Sequence, residues 1–223
     1  MEVSIVPRID DYKKAVEIAK SELEKANPKR IADQSGASLV SDKHGNVWLR
    51  LEFLNKELQI EWPTMKFSVL GNDNEVPLQE QVLILHYLLG CQGSKLEGQW
   101  VAYQEIPDGR FYLDAFVSRA KQPLLKAFGQ EPDLLSEIAT ELYNAEPFDH
   151  GDVSVMVKAL PKVPVALILW KGDDEFPPEG SILFDKSIQD ILSAEDVAWL
   201  AGMVVYPLAG AAAKKGRGST TRG

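Results

Sequence analysis

Val165 to Trp170 (VALILW) is the stretch that most limits what this chain can become. It is short, apolar and rich in branched residues, with Pro164 before it and Gly172 after it. A run of this length between such fences suits a strand covered on both faces better than a helix. Upstream, Val153, Val155 and Val157 alternate with Ser154, Met156 and Lys158, the period of a strand with one wetter face. The link Leu160-Pro161-Lys162-Val163-Pro164 lacks backbone donors at its prolines, so it is expected to turn rather than pair as sheet. These runs predict an antiparallel hairpin that carries Trp170 to a sheet edge. Lys171 to Pro178 (KGDDEFPP) then leaves the sheet as an acidic, proline-stiffened loop.

The rest of the chain alternates hairpins with helices. Asp10 or Asp11 is placed to cap a helix through Tyr12, Ala15, Val16, Ala19 and Leu23, which Asn27-Pro28 ends; Ile31 to Gly36 reads as a transition. Leu39-Val40 and Val47 to Phe53 predict a hairpin around Lys43 to Asn46, which leaves His44 in a turn. Leu58, Ile60 and Trp62 alternate next, and Lys66 to Leu70 reads as a further short strand before a loop at Gly71 to Glu75. Pro77 suits the first turn of a helix that reaches Leu89 and closes at Gly90. His86 lies on its apolar stripe, where a lone histidine is more often a hydrogen-bonded core residue than a ligand.

Asp108-Gly109 between Trp100–Ile106 and Arg110–Phe116 is a hairpin signal. Pro123 to Gly129 and the Leu134, Leu135, Ile138, Leu142 series predict two helices. Ser193 caps the last one, with Val197, Leu200, Ala201 and Val204 inward and Pro207 as its stop. Ala211 to Gly223 (AAAKKGRGSTTRG) is basic and lacks an apolar period. The expectation is an α+β fold, an antiparallel sheet built from several hairpins and packed against helices. It is expected as a single domain over 1–208, followed by a disordered basic tail over 209–223.

Several functions are disfavoured at once. A formal net charge of −9 and a pI near 4.9 argue against nucleic acid or anionic membrane as a partner. Cys91 is the only cysteine, so no intrinsic iron–sulfur cluster or structural zinc site is expected. Neither a basic-then-apolar leader nor an apolar run of membrane-spanning length is evident, which predicts a cytoplasmic protein. The phosphate-loop, dinucleotide-turn, nucleophile-elbow and H-E-x-x-H patterns are absent from the sequence.

What remains is carboxylates and aromatics. Asp149-His150-Gly151-Asp152 forms one acidic cluster, and Asp173-Asp174-Glu175 with Asp185 behind it forms another. The hairpin would bring Asp152 and Asp173 to the same end of the sheet. Gathered there with His150 and Trp170, they are candidate ligands for a divalent cation or a carboxyl pair for acid–base catalysis. The competing reading makes them turn and capping residues bonded to local N–H groups. Trp48, Trp62, Trp100, Trp170 and Phe176 suggest either core or a pocket for a flat cofactor such as a tetrapyrrole, with His86, His150 and Met156 as available axial ligands.

An ordered set of short motifs adds a resemblance. It comprises His86 to Leu89, Gly98 with Trp100, Gly109 to Phe116, Gly151-Asp152, Leu160-Pro161, Pro164-Val165, Trp170, Gly172-Asp173, Glu175-Phe176-Pro177 and Leu183-Phe184-Asp185. Across residues 10 to 208 the chain resembles the uncharacterised family DUF3786. That resemblance implies an origin among anaerobic bacteria and archaea. It also implies the company of four-cysteine iron–sulfur domains like those of corrinoid proteins, to which some members are fused or beside which they are encoded. The resulting expectation is a cytoplasmic accessory or binding protein of anaerobic metallocofactor metabolism, with a corrinoid, tetrapyrrole or iron–sulfur centre on a partner or as ligand. The alternatives are an enzyme with a carboxylate-based, divalent-metal-dependent site, and an adaptor for an iron–sulfur partner that takes no small molecule.

Overall fold

The structure is a computed structural model that describes residues 9–72 and 74–219, with side chains as far as Gly216. Asp73 of the Gly71–Glu75 loop, and 220–223 of the expected tail, lie outside the described residues. The chain is an α+β protein, as its patterns predict. It divides into two compact units, Met1–Glu52 with Lys56–Ser94, and Phe53–Asn55 with Lys95–Gly223. Each unit has its own antiparallel sheet, where the sequence suggests one domain. The boundary near Ser94 follows Gln92-Gly93, too short a polar stretch to read as a linker.

In the first unit, α1 (Ile9–Leu23) buries Val16, Ala19 and Leu23; Asp10 and Asp11 fall within its first turn rather than at its cap. The stretch read as helix end and transition is a helix of its own, α2 (Pro28–Ser35). Its signals are local: the Asn27 side chain accepts from the N–H groups of Lys29 and Arg30, Pro28 opens the first turn, and Gly36 closes it at φ +76°. Strands β1 (Ser38–Ser41), β2 (Val47–Phe53), β3 (Lys56–Trp62) and β4 (Lys66–Val69) follow in spatial order. Leu49, Leu51, Leu58 and Ile60 are buried on one face, while Trp48, Arg50, Glu52 and Gln59 alternate onto the other. Helix α3 (Leu78–Gly90) packs on α1 and α2. His86 is half-buried on it, and Cys91 behind it is buried.

The second unit is built on strands β5 (Trp100–Ala102), β6 (Glu146–Pro147), β7 (Val153–Leu160), β8 (Val163–Trp170) and β9 (Glu179–Asp185), in the order β5-β9-β8-β7-β6. Strand β8 is therefore the middle of the sheet, not its edge. Val165 to Leu169 are all buried, which explains why the run is apolar without alternation. The link with two prolines also pairs further than expected: Lys158 faces Pro164 and Leu160 faces Val163, leaving Pro161-Lys162 as the turn. The register slips between Lys158 and Leu160, an irregularity of the kind that accommodates a proline in a ladder.

The expected Asp108-Gly109 hairpin is not formed. Asp108 does take a positive φ of +61°, but it turns the chain into short helical pieces, Gly109–Tyr112 and then α4 (Leu113–Phe116). Burial overrides the strand pattern here: the Tyr103 ring stacks on Phe116 at 4.2 Å, and its hydroxyl donates to Ala194 O at 2.7 Å. A π-helical segment, Val117–Lys121, joins α4 to α5 (Gln122–Phe128), and α6 (Asp133–Tyr143) packs on β7.

Helix α7 corrects two further expectations. It starts where Ser193 caps it, with the Asp196 N–H donating to the Ser193 hydroxyl, and buries Val197, Leu200, Ala201 and Val204. It does not stop at Pro207 but runs Ala194–Ser219. Leu208 and Ala212 are buried beyond the proline, and Lys215 bridges Glu137 and Glu141 of α6 at 2.9 and 3.1 Å. Alanine has the best helix propensity, and this docking adds to it, so 209–219 are helical rather than a disordered tail. Ala194–Gly216 is also long and apolar enough to cross a membrane by length and composition, and half of its most apolar 18-residue window is buried inside the protein.

Candidate functional site

The expected gathering of residues is partly realised at one end of the five-stranded sheet. Gly151 has φ +63° and lies so close to the sheet that a Cβ there would come within 2.7 Å of Ile168 Cγ2 and 2.8 Å of Leu169 O. The Trp170 ring lies against the same glycine. Asp152 brackets this tryptophan through the backbone. Its N–H donates to Leu169 O at 3.0 Å, and its Oδ2 accepts from the Lys171 N–H at 2.7 Å. Asp152 and the start of the acidic loop thus share one end of the sheet, as the hairpin predicts.

The loop closes on itself. Asp173 Oδ1 accepts from the N–H groups of Glu175 and Phe176 at 2.9 and 2.7 Å, and its own N–H donates to Phe176 O at 2.9 Å. Those N–H donors, Phe176 first, hold the Asp173 carboxyl below its ordinary range. Gly172 is required by close approach, since a Cβ there would sit 2.6 Å from Pro178 N. Trp170 at the end of β8 is 39% exposed and Phe176 in the loop is 67% exposed. Asp174 and Glu175 stand beside them with no ionic or side-chain partner among the described residues.

Two expected members are elsewhere. Asp185 and the Glu179 that pairs with Trp170 are the two ends of seven-residue β9, roughly 20 Å apart along the strand. Asp185 is 3% exposed and accepts from the N–H groups of Glu97, Gly98 and Ser187 at 3.0, 2.7 and 3.0 Å. Burial works to raise its pKa, but the donors from Ser187, Glu97 and Gly98 outweigh it and hold the carboxyl below its ordinary range. His150 joins an aromatic stack instead of the carboxylates: its ring lies 4.8 Å from Phe148 at 17°, and Phe148 meets Trp100 edge-on at 4.8 Å. Trp48 and Trp62 belong to the first unit, while Trp100, Trp170 and Phe176 belong to the second.

Chemically, this arrangement suits contact better than coordination. Asp152 and Asp173 already serve backbone N–H groups, and among the described residues no group of three or more His, Cys, Asp or Glu is disposed to hold a metal ion. The sequence reading missed the neighbour of the loop. Lys171 Nζ reaches Asp133 Oδ2 at 3.3 Å, and Pro178 lies against Gly129. The space between is an open cleft of about 560 Å³ lined by Glu131, Pro132, Asp133, Glu137 and Lys171. At Gln130–Leu134 it adjoins a groove of about 1170 Å³ between α5, α6 and the far part of α7. The cleft is formed by residues distant in sequence, which no local pattern joins.

The model of the Domain of unknown function (DUF3786) family matches residues 27–206, which includes the sheet end, the loop and the cleft. The chain belongs to that family. No curated protein and no solved structure matches it. Within DUF3786 this chain therefore sets its loop aromatics, Asp152 and the Gly151–Trp170 contact inside the family's own span, whereas the end of α7 lies outside it.

Proposed function

We propose that this DUF3786 protein is a non-catalytic accessory module that docks a protein partner through the end of its second sheet. The observation that carries the reading is the exposure of Trp170 at the end of β8 and of Phe176 in the loop that follows, whose backbone is already closed by Asp152, Asp173 and Gly172. Exposed aromatics on a pre-organised support are the usual anchors of an interface, because little side-chain or loop entropy is lost on binding. The carboxylates fit that role too, since those nearest the backbone shape the loop and leave Asp174 and Glu175 at its rim. In this reading the partner is an iron–sulfur or corrinoid protein of the kind that accompanies the family, and the metallocofactor resides on that partner in the cytoplasm.

The test is anaerobic purification from the native host, with metal analysis and a UV–visible spectrum of the chain and its co-purifying proteins. The expected result is a colourless chain that brings down a stoichiometric iron- or cobalt-containing partner, lost in Phe176→Ala at unchanged melting temperature. A stoichiometric metal or a corrinoid band on the isolated chain overturns the reading, as does a partner that Phe176→Ala retains in full.

A further inference from the structure

Helix α7 joins two unequal halves at Pro207. On the near side Val197, Ala198, Leu200, Ala201, Val204 and Val205 are fully buried. On the far side, among 209–216, only Ala212 is buried, while Gly210, Ala213, Lys214 and Gly216 are exposed. The junction itself is weak. Pro207 has no N–H to give the Met203 carbonyl, and its ring crowds that carbonyl. Tyr206, as the residue before a proline, is biased away from helical backbone. Gly210 follows, and a Cβ there would meet nothing within 4 Å. Packing therefore does not require that glycine, whose effect inside a helix is to loosen it. The far side is held by Leu208 and Ala212, and by Lys215, which bridges Glu137 and Glu141 of α6. Its Ala209, Ala212 and Ala213 are one wall of the groove of about 1170 Å³, which Pro123, Ala127 and Leu134 line from α5 and α6.

We infer that 209–216 are a hinged strap, which bends at Pro207–Gly210 and opens the groove while the near side of α7 stays in place. Closed, the strap is the wall of the groove; open, it leaves the α5–α6 side of the groove to solvent. Lys215 is the latch. Its ion pairs lie at the surface, so raised ionic strength favours the open strap.

The experiment reads strap opening by thiol labelling of the full chain. Ala212→Cys puts the probe on the strap and Ala201→Cys puts it on the near side; the parent, whose one cysteine is the buried Cys91, supplies the blank. Ala212→Cys should label about a hundredfold faster than Ala201→Cys. Adding Gly210→Ala to the strap probe should slow its labelling about fivefold, and Pro207→Ala about tenfold or more. Lys215→Met or raised salt should quicken it about threefold. Ala201→Cys should label at one rate in all these backgrounds. Hydrogen exchange in the parent gives the same comparison without added thiols, and 209–216 should exchange about a hundredfold faster than Val197–Val205. Equal exchange in the two halves overturns the inference, as does equal labelling of the two probes at unchanged melting temperature. Fast labelling of the strap probe that neither Gly210→Ala nor Pro207→Ala slows also overturns it, because the probe is then reached without the hinge.

Discussion

The two ends of β9 put carboxylates to opposite uses. At Asp185 a single buried carboxylate gathers N–H groups from Glu97, Gly98 and Ser187, tying the approach to β5 onto the end of β9. At the Glu179 end, Asp152 and Asp173 bind N–H groups from exposed loop backbone, with Asp174 and Glu175 left over. Burial, more than residue type, separates the roles. A buried acceptor of several N–H groups is indispensable to the fold, while exposed acceptors shape a surface that something else can read.

Asp185→Ala should give the largest effect. It strips the acceptor from N–H groups around a buried site, at a cost of about 3 kcal/mol or more in urea unfolding. A loss under about 1 kcal/mol would break the contrast between the two ends. Acid sharpens it. The folded Asp185 carboxyl titrates below its ordinary value of 3.8, so its contribution is present above that pH and is lost as pH falls through the folded value. Asp185→Asn should therefore show a flatter stability profile than the parent below about pH 4, read by chemical unfolding at each pH.

Gly151→Ala comes next. The new Cβ would collide with Ile168 and the Leu169 carbonyl at a backbone angle that alanine resists. A loss of about 2 kcal/mol is expected, together with a shift in the fluorescence of Trp170 as the ring is pushed from its seat. Unchanged stability and fluorescence would mean that the exposed end is not pre-organised, and the docking argument would lose its support.

Much of this architecture is legible in the residues themselves. VALILW reads as a doubly covered strand, and all of Val165–Leu169 is buried; the hairpin predicts Asp152 and Asp173 at one end, where Asp152 accepts from the Lys171 N–H. What fails to read is set by distant contacts. Asp185 follows the acidic loop in sequence, yet strand length carries it to the far end of β9. Pro207 signals a stop, but Ala212 and the Lys215 bridge to α6 hold the helix beyond it. Asp108-Gly109 makes its turn, and the pairing expected around it yields to the burial of Tyr103 and Phe116. The cleft at Glu131–Asp133 depends on where α6 lies against the loop, which no local pattern encodes.

Lys215→Met probes an effect confined to one helix end. Its hydrogen bonds to Glu137 and then Glu141 raise the lysine's pKa, and loss of both should let the helix fray beyond Leu208. Hydrogen exchange should quicken at 209–216 and stay unchanged at Val197–Val204. Uniform quickening along α7 would instead make this bridge part of the global core.

Phe176→Ala should disturb the fold least, by about 0.5 kcal/mol or less, because the ring is mostly in water and Asp173 closes the loop without it. That small cost is what makes the variant decisive. At the Asp185 end, any substitution that affects function can be explained by lost stability. At this end stability and recognition separate, so a loss of partner binding at constant melting temperature must come from the surface itself. If Phe176→Ala lowered the melting temperature as much as Asp185→Ala, the ring would be a packing residue, and both ends of β9 would be scaffold.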